Sequence, residues 1–381
     1  MIIAPTRGIN NLIKYDKSKN IFAERGRILE KRITITDLAR MCGVSPGSVH
    51  RALYNKPGVG DAVRARVLEA ARQSGYRPNS AASALKRRPL RVVASFPGPT
   101  EENRYFYLYV WQGFRDYLQE ISDYNIEAVE LPYYQGRDSQ GSVLESVLAQ
   151  YGDIDGMITV GHTDRRGEAA IRRYIGRGIP VALVCDDIEN CGRMVCVQAS
   201  HDITGAVVAE QLASQIAPGQ GVLVVAGDVM VPSHFRMVQG FDGYLQRYAP
   251  TIRSIKIHGY HNQADVRART VCALQTDPSI AAVCSVNARG SVMLGEVLRE
   301  LGLTGKLRAI GSDVFAENLQ ALREGVFTNI VYKNPRRQAY LGAKLLMDYL
   351  IRDEPPEAET LYVDSTLVFR SNLSNYESGP G

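Results

Sequence analysis

The sequence predicts an α/β protein, with a small all-helical region followed by a two-lobed body of doubly wound parallel sheets. Two observations predict this class. Three short helix signals lie between residues 34 and 74, and from residue 90 onward short apolar runs alternate with amphipathic stretches. With 381 residues, 45% of them hydrophobic, the chain can build sizeable cores in two or three domains.

Charge is distributed unevenly along the chain. The formal net charge is only +5, yet residues 1–91 hold 19 Lys and Arg against 6 Asp and Glu, and the remaining residues hold 26 against 34. A basic N-terminal quarter joined to an acidic body indicates that one end meets a polyanion such as nucleic acid. A merely solvated basic face is the alternative.

The segment "TITDLARMCGVSPGSVHRAL" contains a helix that stops and restarts. Thr34 is predicted to cap a helix over 36–41 with Leu38 and Met41 on its inner face. Gly43 ends it, and Ser45-Pro46 starts a second helix that runs to about residue 54. A third helix is predicted over 61–74, with inward residues Val63, Val67, Leu68 and Ala71.

Three short helices with a glycine-containing turn between the first two form the helix-turn-helix pattern. Its second helix projects outward so that it can enter a DNA major groove. A generic helical hairpin is the alternative. The following stretch "NSAASALKRR" begins at Asn79, which can cap a short helix, and Leu85 is its one large apolar residue. Leu85 is suited to wedge between base steps in a minor groove, unless the stretch is only a basic linker.

The body is predicted to contain ten strands, which are better divided between two similar lobes than held in one sheet. Because ligands bind at the carboxyl ends of parallel strands, a cleft between the lobes is expected to be lined by residues just after each strand. The predicted strands are 91–96, 126–131, 156–161, 180–185, 194–199, 221–227, 254–259, 281–286, 308–313 and 329–334. The predicted helices include 109–121, 203–216, 235–248, 266–276, 289–301 and 335–351.

Several classes of protein are disfavoured. Six cysteines at irregular spacings, with no CxxC pair, predict buried reduced thiols rather than a zinc site or disulfides. Phosphate-loop, nucleophile-elbow and dinucleotide motifs do not occur, so we expect no enzyme, no cofactor and no metal. Apolar runs are too short to span a membrane and no signal peptide opens the chain, which predicts a cytoplasmic location.

These segments together resemble the lactose-repressor family of bacterial transcription regulators, over about residues 33–370. The resemblance is carried by "TITDLARMCGVSPGSVHRAL", "NKPGVGDAVRARVLEAARQSGYRPN", the hinge "NSAASALKRR" and a body like the periplasmic binding proteins of type I. It implies a homodimer on a pseudo-palindromic operator in double-stranded DNA. It also implies hinge helices that order on DNA and a small sugar or sugar-like effector that changes the affinity for DNA.

The resemblance assigns DNA-binding residues one by one. Thr34 and Ser45 stand where the family contacts phosphate or caps the recognition helix. The outward, base-reading positions are Pro46, Gly47, His50 and Arg51, and the hinge positions are Asn79 and the intercalating Leu85. Because Pro46-Gly47 replaces a larger polar pair, specificity is expected to rest on His50, Arg51 and the hinge. Tyr54, Gly60 and Val63 also depart from the family pattern.

The resemblance assigns effector-binding residues after the strand ends: Tyr105, Phe106, Thr163, Asp186, Arg236, Asn287, Asp313 and Lys333. Aromatic rings at 105–107 are expected against the apolar face of a sugar ring, unless they belong to the core of the helix that they open. Arg236 lies one residue further from Gly240 than is usual. Lys333 stands where Gln is frequent, a change that could admit an anionic sugar-like ligand.

The sequence therefore predicts a DNA-binding transcription regulator, a repressor, controlled by a sugar-like effector. Induction and corepression are both open. A transport-associated sugar-binding protein is the alternative, since the body alone would fit it. The predicted domains are an extension (1–31) whose order is open, the headpiece (32–78), the hinge (79–89), the effector and dimerisation domain (90–370) and a tail (371–381).

Overall fold

The computed structural model describes residues 33, 35–53, 56–74, 88–134, 138–161 and 164–377. The chain divides into two compact units, Met1–Asn79 and Ser80–Gly381. We call the described part of the first unit the headpiece and that of the second unit the body.

The headpiece contains α1 (Ile35–Cys42), α2 (Pro46–Leu53) and α3 (Asp61–Gln73). Gly43 ends α1 in the left-handed conformation (φ 62°), which glycine adopts without strain. Its small core is formed by side chains of all three helices: Leu38, Ala39, Cys42, Val49, Ala52, Val67 and Ala71.

Two predicted core residues of the headpiece lie on its surface. Met41 is 58% exposed and Leu68 is 46% exposed. In α1, Ala39 and Cys42 complete the buried face around Leu38. Three- and four-residue spacing leaves more than one apolar stripe possible on so short a helix, and packing against α2 and α3 selects one of them.

The body consists of two lobes, each with a six-stranded sheet. The first lobe has the strand order β11-β5-β4-β3-β1-β2, and all its pairs are parallel. Its strands are β1 (Leu90–Ser95), β2 (Ile126–Glu130), β3 (Gly156–Val160), β4 (Val181–Val184), β5 (Val195–Ala199) and β11 (Thr360–Val363). Its helices are α4 (Arg104–Glu120), α5 (Gln140–Gln150), α6 (Arg165–Gly176) and α12 (Pro335–Arg352).

The second lobe repeats this order as β12-β10-β9-β8-β6-β7, with β12 antiparallel to β10. Its strands are β6 (Gly221–Gly227), β7 (Arg253–His258), β8 (Ile280–Ser285), β9 (Arg308–Ser312), β10 (Asn329–Tyr332) and β12 (Thr366–Val368). Its helices are α7 (His201–Ala213), α8 (Pro232–Tyr248), α9 (Gln263–Thr276), α10 (Ala288–Glu300) and α11 (Ala316–Glu324). A short α13 (Ser374–Glu377) follows β12.

The chain crosses between the lobes three times: after β5, after β10, and between β11 and β12. The first crossing leads into α7, which packs in the second lobe's core, and the second leads into α12, whose Ala339, Ala343 and Leu346 pack in the first lobe's core. Each lobe is thus built from separated stretches of chain.

All ten predicted strands are present, and their ends differ from prediction by at most two residues. Strands buried on both faces, such as β3, β4 and β6, carry the continuous apolar runs that a parallel sheet requires. The edge strands β11 and β12 were not predicted, because they are short and partly exposed. Five cysteines are buried as predicted, whereas Cys272 is exposed.

Candidate DNA-binding surface and ligand-binding cleft

The start of α2 is fixed by Ser45. Its Oγ accepts a hydrogen bond from the Ser48 backbone N–H at 3.1 Å, and its carbonyl accepts one from Val49 N–H at 3.1 Å. Pro46 occupies the first helical position, where its missing N–H costs no hydrogen bond. This cap sets the direction in which α2 leaves the turn.

The outer face of α2 is exposed. Val49 and Ala52 are buried in the headpiece core, while the predicted base-reading positions all lie on the surface: Pro46, Gly47, His50 and Arg51. Ser45 is exposed beside them. A short helix with one buried stripe and one open face can present side chains to a groove without losing its packing.

Arg51 lies beside the loop that follows α2. A Cβ on Gly58 would make ordinary van der Waals contact with Arg51 Cδ at 3.6 Å, so the arginine stem runs along this loop. The other assigned DNA-binding residues, Thr34, Asn79 and Leu85, lie outside the described residues.

The cleft of the body lies between the carboxyl ends of the two sheets, and side chains of both lobes meet across it. Arg104 pairs with Glu317 at 3.0 Å and Arg289 with Glu102 at 2.6 Å. The ring centroids of Tyr105 and Phe315 are 4.7 Å apart. These contacts bring the lobes together along one side of the cleft.

Lys333 and Asp313 form a buried ion pair at the second crossing. Lys333 Nζ lies 2.9 Å from Asp313 Oδ2, and it donates to the Val286 carbonyl at 2.9 Å and to Ser312 Oγ at 2.8 Å. The lysine is 6% exposed and the aspartate 1%. Three partners match the three protons of an ammonium group, so the charge of Lys333 is satisfied within the protein.

Asp186 caps a helix of the opposite lobe. Its Oδ1 accepts a hydrogen bond from the Ser233 backbone N–H, in the first turn of α8, at 2.8 Å. The positive end of the helix dipole favours a carboxylate there. Asn287 also acts as a cap, because its Oδ1 accepts from Gly290 N–H at 2.8 Å at the start of α10.

The chain leaves β4 and β9 in the same way. Cys185 and Asp313, the residues after these equivalent strands, both have φ 69°. Left-handed backbone at a residue other than glycine costs roughly 1–3 kcal/mol, and it is maintained only where the surrounding structure supports it. The turns place Asp186 and Asp313 in the cleft.

Three half-buried tyrosines, Tyr107, Tyr133 and Tyr260, surround Asp186 closely enough to interact with it electrostatically. Burial raises the pKa of all three phenols, so each remains a protonated hydrogen-bond donor at neutral pH. Rings combined with hydroxyl donors suit a ligand that has apolar faces and polar edges.

His201 lies at the first crossing between the lobes, two residues after β5. Its Nε2 lies 3.1 Å from the Cys185 carbonyl, and Asp186, Lys333 and Arg236 all act on it electrostatically. Burial lowers the pKa of this histidine, which keeps the ring neutral at pH 7. Its Nδ1 is buried and has no hydrogen-bond partner among the described residues.

The remaining assigned effector residues that the structure describes differ in what they contact. Tyr105 is buried against Phe315, and the Phe106 ring centroid lies 5.9 Å from Lys333 Nζ. Phe106 also packs against the first lobe's core, so the helix-core alternative holds for part of this segment. Arg236 forms an ion pair with Glu189 of the opposite lobe. Thr163 lies outside the described residues.

Reasoning from the sequence missed several cleft residues: Tyr133, His201, Tyr260, Glu102 and Arg289. Tyr133 and Tyr260 follow β2 and β7 by two or three residues, so the rule used for the assigned residues would have found them. The ion pairs had no sequence signal, because their partners are far apart in the chain.

Among the described helices, none is both long and apolar enough to cross a membrane. Within the same part of the chain, no three His, Cys, Asp or Glu residues are grouped so that they could hold a metal ion.

Two family models match the chain. Residues 34–79 match the model described as bacterial regulatory proteins, lacI family. Residues 98–354 match the model of a periplasmic binding protein domain. The first match covers the headpiece helices and the second covers most of the body.

Curated relatives match over different lengths. "Probable HTH-type transcriptional repressor ExuR" of Bacillus subtilis is 23% identical over 346 residues, 90% of this chain and 98% of that protein. "HTH-type transcriptional regulator TreR" of Salmonella typhimurium is 38% identical over 66 residues, which are 17% of this chain and only 21% of that regulator.

Solved structures share the fold of the body. A solute-binding protein of an ABC transporter from Burkholderia graminis, in complex with D-arabinose, superposes with a TM-score of 0.67 at 18% identity. The superposition covers 76% of this chain and 98% of that one.

Proposed function

Because the chain belongs to the lacI family of bacterial regulatory proteins and carries a periplasmic binding protein domain, we propose that it represses transcription under the control of a sugar-like effector. The observation that carries this proposal is the joining, in one chain, of an exposed helix-turn-helix surface to a two-lobed cleft lined by tyrosines and polar groups. The action is binding rather than catalysis, and its place is the cytoplasm.

At the DNA end, α2 enters the major groove with His50 and Arg51 toward base edges and with Ser45 near phosphate. A guanidinium donates two hydrogen bonds to guanine O6 and N7, so Arg51 carries the larger share of base discrimination. Pro46 and Gly47 allow close approach but bring no side-chain hydrogen bonds. Asn79 opens the hinge and Leu85 intercalates at the centre of a pseudo-palindromic operator, as the family relation implies.

At the effector end, the ligand binds between the lobes. Tyr107, Tyr133 and Tyr260 supply rings and hydroxyl donors, and Asp186 supplies acceptor oxygens. The other assigned effector residues complete or support the site: Tyr105, Phe106, Thr163, Arg236, Asn287, Asp313 and Lys333. The D-arabinose held by the Burkholderia graminis protein supports a ligand of this size and chemistry.

The two ends are coupled through a homodimer. The effector needs only to bind two lobe arrangements unequally, because that difference shifts the separation of the paired hinges and hence the affinity for the operator. A ligand that favours the DNA-competent arrangement is a corepressor, and one that favours the other arrangement is an inducer.

The test is selection of double-stranded DNA from a random pool by the purified full-length chain. We expect a pseudo-palindromic sequence whose affinity falls steeply as salt rises, because phosphate contacts release counterions. Failure to select any sequence, with affinity independent of salt, would favour the transport-associated binding protein instead.

Arg51→Ala tests the assigned reading position. We expect about 1–3 kcal/mol weaker binding to the selected operator and relaxed preference at one base pair per half-site. Arg72→Ala, which removes the same charge from the exposed end of α3, should leave that preference intact. Full selectivity in the Arg51 variant would contradict the placement.

A further inference from the structure

We infer that the cleft excludes anionic ligands and that the effector is a polyhydroxy compound without a negative charge. The inference rests on the proposed function, since it names the chemical class of the effector that the cleft accepts. It is carried by the ion pairs of the cleft rather than by its shape.

Four described cations at the cleft, Arg104, Arg236, Arg289 and Lys333, each have a carboxylate partner. Arg104 pairs with Glu317, Arg289 with Glu102 and Arg236 with Glu189, and each of these pairs joins the two lobes. A ligand carboxylate that displaced the protein carboxylate from one of these arginines would therefore break a contact between the lobes.

Lys333 is the least available of these cations. It is buried, and the Val286 carbonyl, Ser312 Oγ and Asp313 Oδ2 occupy its three donors. Lys333 stands where Gln is frequent in the family, and Asp313 neutralises the charge that the lysine adds. The pair holds the β9 and β10 ends together and has no donor left for an anion.

Asp186 differs from the carboxylates of these ion pairs. Among the described residues no Lys or Arg forms an ion pair with Asp186, which is 6% exposed and whose described side-chain contact is the backbone N–H of Ser233. Tyr260 lies within electrostatic reach of Arg289, Glu102, Asp186 and Asp228, so three of these four charged neighbours are acidic. An incoming carboxylate would meet the negative charge of Asp186, which the neutral phenol donors do not cancel.

A sugar acid therefore has two ways to bind, and both are unfavourable. The ligand carboxylate can remain without a cationic partner in a largely buried site. Alternatively, it can displace a protein carboxylate from an arginine and leave that protein carboxylate without a cationic partner. A neutral hydroxymethyl or hydroxyl group in the same place donates to Asp186 and accepts from a tyrosine without disturbing an ion pair.

The experiment compares matched ligand pairs on the full-length chain by thermal shift and isothermal titration calorimetry. The pairs are D-glucose with D-glucuronate, D-galactose with D-galacturonate, and D-sorbitol with D-gluconate, at one ionic strength and pH 7. We expect that a neutral member binds and that its acid counterpart binds at least about 100-fold more weakly.

A variant tests whether the ion pairs of the cleft cause the exclusion of anionic ligands. Glu102→Gln removes the carboxylate partner of Arg289, which lies beside Tyr260. We expect it to lower the ratio of the affinity for the neutral ligand to that for its acid counterpart at least about fivefold. Glu145→Gln is the matched control, because Glu145 pairs with Arg166 and Arg173 on the outer helices of the first lobe. An unchanged ratio in Glu102→Gln, or an equal change in both variants, would overturn the assignment to the paired cations.

The outcomes separate this inference from the proposed function. An acid that binds wild-type protein more tightly than its neutral counterpart overturns the exclusion of anions and leaves a sugar-responsive regulator intact. If all six compounds fail to bind, the sugar-like effector of the proposed function fails, and the present inference fails with it.

Discussion

Leu38 lies at the centre of the headpiece core and is fully buried, whereas Met41, on the same helix, is 58% exposed. We expect Leu38→Ala to destabilise the headpiece by about 2–4 kcal/mol, because it leaves a cavity in a small core. Met41→Ala should change stability by less than about 0.5 kcal/mol. Hydrogen exchange of the α1–α3 amides in the full-length chain measures both effects.

Comparable losses in the two variants would contradict the burial pattern of α1. Such a result would instead agree with a buried Met41, as helical spacing alone predicts. The comparison therefore tests packing and not composition, since both substitutions shorten an apolar side chain on one eight-residue helix.

His201 predicts a pH dependence of the body's stability. Its pKa is lowered in the folded state, so below the ordinary value of about 6.5 the unfolded chain binds a proton that the folded chain does not. Stability contributed by the neutral ring is present above that pH, and it is lost as pH falls through the folded pKa.

We expect the melting temperature of wild-type protein to fall between pH 7 and pH 5 by more than that of His201→Gln. The slope of melting temperature against pH is the readout, because the variant also changes a buried contact with the Cys185 carbonyl. His258→Gln, at an exposed position, should keep the wild-type slope. Equal slopes in wild type and His201→Gln would contradict a buried neutral histidine.

The family resemblance, together with the rule that ligands bind after strand ends, assigned Asp186, Asn287, Asp313 and Lys333 to the effector site. It did not predict what these side chains contact. Asn287 caps its own helix, Asp186 caps a helix of the other lobe, and Lys333 is held by Asp313. Each partner depends on how two lobes meet, and no periodicity within a single segment encodes that.

Among the elements, α7 and α8 pack so closely that two glycines are required. A Cβ on Gly240 would lie 1.9 Å from the Asp202 carbonyl oxygen, and one on Gly205 would lie 1.9 Å from that of Met237. We expect Gly240→Ala to destabilise the body by about 1–3 kcal/mol, because the helices must move apart.

Gly243, in the same helix, is the internal control. A Cβ there meets no atom within 4 Å, so Gly243→Ala should be neutral or should stabilise the body by up to about 1 kcal/mol through helix propensity. Urea denaturation of the two variants measures the difference. A stabilised Gly240→Ala would show that the two helices are not in contact at this point.

Elements with strong local signals were the ones that the sequence located. Buried strands such as "GVLVVAG" are bounded by glycines and continuously apolar, and β6 coincides with its prediction. The edge strands β11 and β12 have four and three residues, and their pairing with β5 and β10 depends on the fold around them. Long-range pairing, rather than composition, makes these segments strands.

For the whole molecule, coupling between the effector and the operator must be reciprocal. If an effector changes the affinity for the operator by some factor, the operator changes the affinity for that effector by the same factor. We expect equal factors when each affinity is measured with and without a saturating amount of the other ligand. Unequal factors would show that more than one coupled species is present.

The three crossings between lobes also determine the order in which a new chain can become functional. The headpiece is complete once residue 74 has been made, but the first lobe lacks α12 and β11 until residue 363. At synthesis rates of about 5–20 residues per second, that interval is roughly 15 to 60 s. A nascent chain can therefore expose its DNA-binding helices while it is still unable to sense the effector, and regulated binding must wait until residue 363 has been made.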